Sequence, residues 1–186
     1  MRCFIAIELP EHVKARIFHE FEIIKNSGVV IGNFVEKNNL HLTLKFLGDV
    51  NEEQILQIKE KLSVIGSKFS AFEAETGEFG FFPSEEYIRV LWSEVRDKNN
   101  EIRNLNENIE SSLNEIGFAS ENKEFTSHIT TARIKLIKNK SIFFEKIKKI
   151  KKIKEKFKIK EFVLIKSELT RQGPVYKILE KFSLRE

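Results

Sequence analysis

Apolar residues recur along the chain with two different periods, which predict the order of its helices and strands. In four segments they lie three or four positions apart, the spacing that places side chains on one face of a helix. These helical segments are 12–26, 51–65, 99–113 and 139–152. Shorter segments are rich in β-branched and aromatic residues or alternate apolar with polar residues, as strands do. These strand segments are 2–9, 40–47, 72–79, 89–95, 126–134, 159–167 and 175–182. The pattern predicts an α+β fold.

The predicted elements repeat at an offset of 87 residues. The shift places His41 on His128, and two positions later it places a Thr on a Thr. Five helices and strands share this offset, which is less common by chance than the match of single residues. We therefore expect one domain, 1–186, built from a β-α-β-α-β unit used twice, over about 1–87 and 88–174. Two such units predict two lobes related by approximate twofold symmetry.

Composition limits the class of protein. A chain of 186 residues with 41% hydrophobic residues and 17 Phe can bury a core, which excludes a disordered protein. The single cysteine, Cys3, excludes a disulfide scaffold and argues against a structural zinc site. No apolar run approaches the roughly 20 residues of a transmembrane helix, and the N-terminus lacks the pattern of a secretory signal. We expect a soluble, cytoplasmic monomer that does not bind membranes.

Charge is divided unevenly along the sequence. Residues 1–130 carry 14 Lys and Arg against 22 Asp and Glu, whereas residues 131–186 carry 18 against 6. Nine of the fifteen residues from Lys146 to Lys160 are Lys. This basic segment could guide RNA phosphates towards a cleft by a nonspecific, salt-dependent attraction. The same spacing also fits the solvated face of an amphipathic helix, an interpretation we favour over base recognition.

The repeat identifies the two His-x-Thr sites as the candidates for a catalytic site. Alternate residues of a strand share a face, so His41 and Thr43 point the same way, as do His128 and Thr130. If the lobes face each other, two imidazoles and two hydroxyls converge on one cleft. One histidine can then take a proton from a nucleophile while the other gives one to a leaving group. The hydroxyls can donate hydrogen bonds to phosphate oxygens, which suits phosphodiester chemistry without a metal or cofactor.

Other interpretations of these histidines are weaker. Both could simply fill polar strand faces. A zinc site needs about three protein ligands, and neither His41 nor His128 has a Cys, Asp or Glu two residues away on its own strand. His12 and His19 lie on the first predicted helix, outside the repeated motif, and are expected to be surface residues.

Five motifs in order along the chain resemble the LigT-like branch of the 2H phosphoesterases. They are FIAIELPE at the start, HLTLKFLGDV at 41–50, FFP followed by RVLW at 81–92, SHITTARI at 127–134 and SELTRQGPVY at 167–176. The resemblance implies a bilobed fold, with two antiparallel-rich sheets flanked by helices around a central cleft. It also implies metal-independent hydrolysis of RNA 2′,3′-cyclic phosphate ends, tRNA fragments among them, to 2′-phosphomonoesters.

The resemblance assigns a role to each motif residue. His41 would be the general acid that protonates the departing O3′, and His128 would position or activate the attacking water. Thr43 and Thr130 match the threonines that hold the nonbridging phosphate oxygens. Arg133 matches a basic residue that pairs with the phosphate, an interpretation we favour over that of a surface residue at a strand end.

Phe46 and two departures from the family pattern need separate mention. Phe46 resembles a position that can stack on a nucleobase. Strict alternation turns it away from His41, towards the core, unless the strand ends or bulges between them. Ser127 stands where the family commonly has Pro, and Thr131 stands at a usually apolar position. Thr131 should face away from the phosphate, so its effect is expected on packing.

Two further functions use the same residues. A 2′-5′ RNA ligase would replace water with a 5′-hydroxyl, using the same histidines and leaving group. An RNA- or nucleotide-binding module without catalysis is a third hypothesis, against which the intact histidines and threonines argue. Turnover of a 2′,3′-cyclic nucleotide in the presence of a chelator would separate an enzyme from a binding module.

Overall fold

A computed structural model describes residues 1–150, 154–171 and 173–186. The helices of these residues are α1 (Glu11–Asn26), α2 (Glu52–Lys68), α3 (Glu101–Asn114) and α4 (Lys140–Lys149). Their strands are β1 (Arg2–Glu8), β2 (Val30–Phe34), β3 (His41–Asp49), β4 (Phe72–Pro83), β5 (Ile88–Asp97), β6 (His128–Ile137), β7 (Lys156–Ile159), β8 (Glu161–Thr170) and β9 (Gly173–Ser183).

The predicted order of helices and strands is confirmed, with two strands added. The sequence prediction missed β2, which is short and contains Gly32 and Asn33, residues more typical of turns. It also missed β7, which is separated from β8 by Lys160 alone. The fourth helix, expected to reach 152, ends at Lys149, and 151–153 lie outside the described residues.

The described strands form a sheet with antiparallel pairing and two halves. Half one has the order β3-β1-β8-β9, and half two has the order β7-β4-β5-β6, with β2 pairing on β6. The halves meet where β3 and β6 pair at Leu42 and Ile129. The two expected antiparallel sheets are therefore the two halves of one curled sheet, joined at the His-x-Thr strands.

Each half draws strands from both predicted repeat units. β4 closes the first unit of the sequence, yet it pairs with β5 in half two, whereas β8 of the second unit pairs with β1 in half one. The helices are exchanged in the same way, since α2 and α3 contact each other beside half one and α1 and α4 contact each other beside half two. The lobes are thus not the contiguous units about 1–87 and 88–174.

One face of the sheet is covered by helices and holds most of the core. Buried apolar residues of all four helices join those of the strands in one cluster, in which Leu91 and Ala132 are fully buried. A second, smaller cluster lies on the opposite face of half one and consists of Phe4, Ala6, Val163 and Ile165. That opposite face carries the His-x-Thr side chains, and we call it the cleft face. No helix among the described residues has the length and apolar character needed to cross a membrane.

Candidate active site

The two His-x-Thr motifs begin the two strands at which the sheet halves meet. His41 is the first residue of β3 and His128 is the first residue of β6. The strands are antiparallel and pair at Leu42 and Ile129. This register sets His41 opposite Thr130 and Thr43 opposite His128, with all four side chains on the same face. The fold thus brings these four side chains together, with the Leu42–Ile129 pair at their centre.

Both imidazoles are oriented by the same local hydrogen bond. His41 Nδ1 lies 2.6 Å from the carbonyl oxygen of Asn39, and His128 Nδ1 lies 2.6 Å from the carbonyl oxygen of Thr126. A carbonyl can only accept, so Nδ1 carries the hydrogen in each ring and donates it. Each Nε2 is therefore left as an acceptor in the neutral ring and as a donor in the charged ring.

Aromatic side chains surround both histidines and hold them out of water. The ring centroid of His41 lies 4.9 Å from that of Phe4 and 5.4 Å from that of Tyr176. His128 packs in the same manner between Phe82 and Trp92, at 5.0 and 5.8 Å. All four rings belong to motifs quoted for the family resemblance, but the sequence analysis assigned no role to any of them.

This burial lowers the pKa of both histidines. Loss of hydration brings the pKa of His41 down to about 4. The hydrogen bond to Asn39 raises this pKa, and the charge of Lys14 lowers it slightly further. Loss of hydration also lowers the pKa of His128, to which the charge of Arg133 adds. Both imidazoles are therefore neutral at pH 7 in the free protein.

A β-bulge follows each His-x-Thr motif and reverses the side-chain alternation. In β3, Thr43 pairs with Ala6 but Lys45 pairs with Ile5, so Leu44 is left without a partner. Lys45 is consequently buried in the core, and Phe46 lies on the cleft face, where it is 59% exposed and 6.1 Å from Phe4 between ring centroids. The alternation that turned Phe46 towards the core is broken here.

The same bulge occurs in β6. Thr130 pairs with Trp92 and Ala132 with Leu91, which leaves Thr131 without a partner. Arg133 is thereby placed on the cleft face, at the position equivalent to Phe46, and its charge acts on both His128 and Tyr176. The matching sequence offset of Phe46 and Arg133 from their histidines thus has a structural cause.

The residues that support the bulges were not found from the sequence. Asn106 on α3 is buried and donates from Nδ2 to the carbonyl oxygen of Leu44, at 2.8 Å. One helical turn later, Glu110 accepts from the Nζ of the buried Lys45 at 2.5 Å. The available signal was a polar pair four residues apart beside the apolar stripe of Ile102, Leu105, Ile109 and Leu113.

The two departures from the family pattern also lie beside this strand. Thr131 is buried, as expected for a residue facing away from the site, and its Oγ1 donates to the carbonyl oxygen of Leu91 at 2.8 Å. Its own carbonyl accepts from the backbone of Val35 at 2.9 Å. Ser127 Oγ and Trp92 Nε1 are buried and have no hydrogen-bond partner among the described residues.

The remaining candidates lie elsewhere. His12 and His19 are on α1, outside the cleft, as expected for residues that do not belong to the repeated motif. The described residues contain no cluster of three or more His, Cys, Asp or Glu side chains placed to hold a metal ion.

The basic segment is divided between two surfaces. Its first part forms α4, whose Phe143 packs on Phe81, on the helix-covered face of the sheet. Its last part forms β7, where Lys156 and Lys158 stand opposite Glu75 and Glu73 of β4. The α4 lysines are therefore on the side of the sheet that faces away from His128.

Comparison with known proteins places this geometry in a family. The sequence pattern of the family described as LigT like phosphoesterase matches residues 7–92 and 94–176. A protein of Methanocaldococcus jannaschii named RNA 2′,3′-cyclic phosphodiesterase is 34% identical over 98% of this chain and 100% of its own length. A protein of Thermotoga maritima with the same name is 34% identical over 96% of this chain and 93% of its own.

Solved structures of similar chains share the fold. TT0787 of Thermus thermophilus is 29% identical and superposes with a TM-score of 0.84, covering 100% of this chain and 98% of that one. E. coli LigT complexed with 3′-AMP is 25% identical and superposes with a TM-score of 0.81 over the same shares. Since the family pattern covers most of the chain and 34%-identical relatives cover nearly all of it, the chain belongs to the LigT-like phosphoesterases, within the 2H phosphoesterases.

Proposed function

We propose that this chain hydrolyses RNA 2′,3′-cyclic phosphate ends to 2′-phosphomonoesters, without a metal ion, with His41 and His128 as its acid and base. The observation that carries the proposal is the pair of imidazoles fixed in one tautomer by equivalent carbonyl hydrogen bonds at 2.6 Å. Relatives that align over nearly the whole chain carry the name RNA 2′,3′-cyclic phosphodiesterase. Both histidines come from one chain, which is consistent with a monomeric enzyme.

The twofold arrangement suits an in-line displacement. A phosphate above the Leu42–Ile129 pair has one histidine on each side, where the attacking and leaving oxygens of such a reaction stand. His128 Nε2 accepts a proton as the water oxygen bonds to phosphorus, while protonated His41 Nε2 donates a proton to O3′ as its bond to phosphorus breaks. Thr43 and Thr130 donate hydrogen bonds to the nonbridging oxygens. Proton exchange with solvent then restores the starting state of both rings.

Two further side chains complete the substrate site. Arg133 lies on the face of His128 without a carboxylate partner among the described residues, so its guanidinium is free to pair with the phosphate. Phe46 is exposed on the same face of the neighbouring strand and offers an aromatic ring for stacking on the terminal base.

The decisive experiment measures hydrolysis of a 2′,3′-cyclic nucleotide in excess EDTA and identifies the product. We expect turnover in EDTA, a 2′-phosphate product, and a loss of at least about 10²-fold in His41→Ala and His128→Ala, because each removes a proton-transfer group. His12→Ala is the control, since His12 is an exposed histidine outside the site. A 3′-phosphate product would contradict the assignment of the leaving group, and loss of activity in EDTA would contradict the metal-free mechanism.

A further inference from the structure

The cleft face of half two continues as a basic surface beyond Arg133. Gly32 of β2 pairs with Ile134 and Ile31 pairs with Leu136, so Lys135 is left without a partner in a third bulge. Lys135 and Leu136 are both exposed as a result, and Leu136 is 54% exposed. Lys135 lies two residues past Arg133, about 7 Å along the strand.

The neighbouring strand β5 adds an arginine and an aromatic ring to this surface. Val90 pairs with Phe82 and Ile88 with Pro83, so Arg89 is bulged out between them and is exposed. Its guanidinium lies 4.5 Å from the ring centroid of Tyr87, which is 56% exposed.

Arg89 also joins the two strands at this point. Its guanidinium donates to the hydroxyl of Tyr87, and to the carbonyl oxygen of Lys135 at 3.3 Å. We call Tyr87, Arg89, Lys135 and Leu136 the basic strip.

The charges of the strip are not neutralised by their surroundings. Neither Arg89 nor Lys135 has a carboxylate partner among the described residues. The nearest acidic residue in sequence is Glu86, whose carboxylate is hydrogen-bonded to Ser84 and lies near the charge of Lys140, which together lower its pKa. The strip therefore presents cations, an aromatic ring and an apolar side chain to an anionic partner.

On the side of His128 away from Arg133, the cations of the sheet lie next to carboxylates. Glu94 stands opposite His128 in the pairing of β5 with β6, and Arg96 pairs with it at 2.6 Å. Further along the same surface lie Glu75 and Glu78, whose charges act on Arg96. A phosphate backbone bound at His128 therefore meets paired charges on this side, and on the side of Arg133 it meets cations that have no carboxylate partner among the described residues.

Half one does not repeat the basic strip. At the offset of 87 residues, Gly48 and Asp49 occupy the positions of Lys135 and Leu136. Arg2 occupies the position of Arg89, but it stands opposite Asp49 in the pairing of β1 with β3. The symmetry that holds at the histidines is thus broken in charge, and the break favours one direction for a bound nucleic acid.

We propose that the basic strip binds the nucleotides on the 5′ side of the terminal cyclic phosphate. The proposal rests on the proposed function, since that function places the terminal phosphate at the two histidines. Arg89 and Lys135 contact successive phosphates, and Tyr87 stacks on a base.

The test compares kcat/KM for a 2′,3′-cyclic mononucleotide with kcat/KM for a short RNA oligonucleotide ending in the same group. In the double variant Arg89→Ala/Lys135→Ala, and in Tyr87→Ala, we expect about a tenfold loss on the oligonucleotide and a change within about twofold on the mononucleotide. The plot of log kcat/KM against log salt concentration for the oligonucleotide should become shallower in the double variant. Its negative slope should decrease in magnitude by about 1.4, because each lost phosphate contact removes about 0.7. Arg2→Ala is the matched control and should change neither substrate.

Three outcomes would overturn the proposal: an equal loss on both substrates, no loss on the oligonucleotide, or the same loss in Arg2→Ala. If the wild-type protein hydrolysed neither substrate, the proposed function would fail. A measurement of RNA binding would then test the basic strip independently of catalysis. Fluorescence anisotropy of a 5′-labelled RNA ending in a 3′-phosphate should then show a Kd about tenfold weaker in the double variant than in Arg2→Ala. Equal Kd values would reject the strip as an RNA-binding surface.

Discussion

His41 and His128 are neutral in the free protein because aromatic rings displace the water that would solvate a charged imidazole. The pKa of His41 is lowered to about 4 and that of His128 is lowered from its ordinary value of 6.5. The proposed reaction needs one ring charged and one neutral. In the free enzyme a charged imidazole is therefore populated only below pH 6.5, and the low pKa of His41 means that its charge as the acid depends on the bound phosphate anion.

The pH dependence of kcat/KM tests this electrostatic environment. Since kcat/KM reports the free enzyme and both pKa values are lowered, we expect kcat/KM to begin falling below pH 6.5 and to keep falling as the pH rises further, because the charged ring is lost. A bound phosphate anion raises the pKa of both rings, so the alkaline limb of kcat should lie at higher pH than that of kcat/KM. A kcat/KM profile that is flat from about pH 5.5 to 8 would contradict this account.

Phe46 is the second residue whose environment makes a prediction. Its ring is exposed beside the histidines and its removal leaves no cavity in the core. Phe46→Ala should raise KM for a cyclic nucleotide by about tenfold, consistent with roughly 1–3 kcal/mol for one stacked base, with Tm close to that of the wild type. Steady-state kinetics with a thermal melt measures both quantities. Phe46→Trp is the control that keeps an aromatic ring, and an unchanged KM in Phe46→Ala would rule out stacking there.

At the scale of elements, the two bulges decide which side chains reach the cleft. Each bulge leaves one residue unpaired, Leu44 in β3 and Thr131 in β6, and so moves the next exposed residue to the face of the histidines. The two bulge carbonyls have different donors, the side chain of Asn106 for Leu44 and the backbone of Val35 for Thr131. In half one the carbonyl at the bulge is therefore held by a side chain, whereas in half two it is held by the backbone.

Asn106→Ala tests the role of that side chain. The substitution leaves the buried carbonyl of Leu44 without a donor, which costs about 1–3 kcal/mol of unfolding free energy. We expect a lower Tm together with a higher KM and a nearly unchanged kcat, because Phe46 loses its fixed position while the histidines keep theirs. Asn108→Ala is the matched control, since Asn108 is exposed on the same helix and bonds to Asn104 of its own helix. A variant with wild-type KM and a lower Tm would show that Asn106 serves stability alone.

At the scale of the whole molecule, the exchange of strands removes the charge division seen along the sequence. Acidic β4 lies beside basic β7, with Glu73 opposite Lys158 and Glu75 opposite Lys156. An ion pair at 3.7 Å likewise joins Lys181 to Glu8. Several of the C-terminal lysines thus neutralise N-terminal acids instead of forming one basic lobe.

The lysines of α4 give the corresponding prediction. They lie on the helix-covered side of the sheet, away from His128, so a bound RNA that follows the cleft does not meet them. The triple variant Lys146→Gln/Lys148→Gln/Lys149→Gln should keep kcat/KM for the oligonucleotide within about twofold of the wild type at low salt, in contrast to the Arg89→Ala/Lys135→Ala variant. A tenfold loss in the triple variant would restore the basic segment as the RNA track.

The sequence by itself determined most of the elements and the candidate residues for the chemistry. Side-chain periodicity is a local property, so four helices and most strands could be predicted from it, and the offset of 87 residues identified His41 and His128 as a pair. Neighbours that are distant in sequence could not be predicted in this way. The aromatic rings around the histidines and the buried Asn106 are ordinary members of their local patterns until the fold brings them to β3 and β6.

Only the tertiary structure decided that β4 and β8 exchange places between the two halves of the sheet. It also decided where the bulges occur and on which side of His128 the basic strip lies. Strand pairing between distant segments depends on the packing of the whole core, which local periodicity does not encode. A single unpaired residue reverses the alternation of all residues after it in the strand. For that reason, strict alternation predicts the wrong face of the sheet for Phe46. The charge of the cleft follows from those pairings, so it too was settled by the fold.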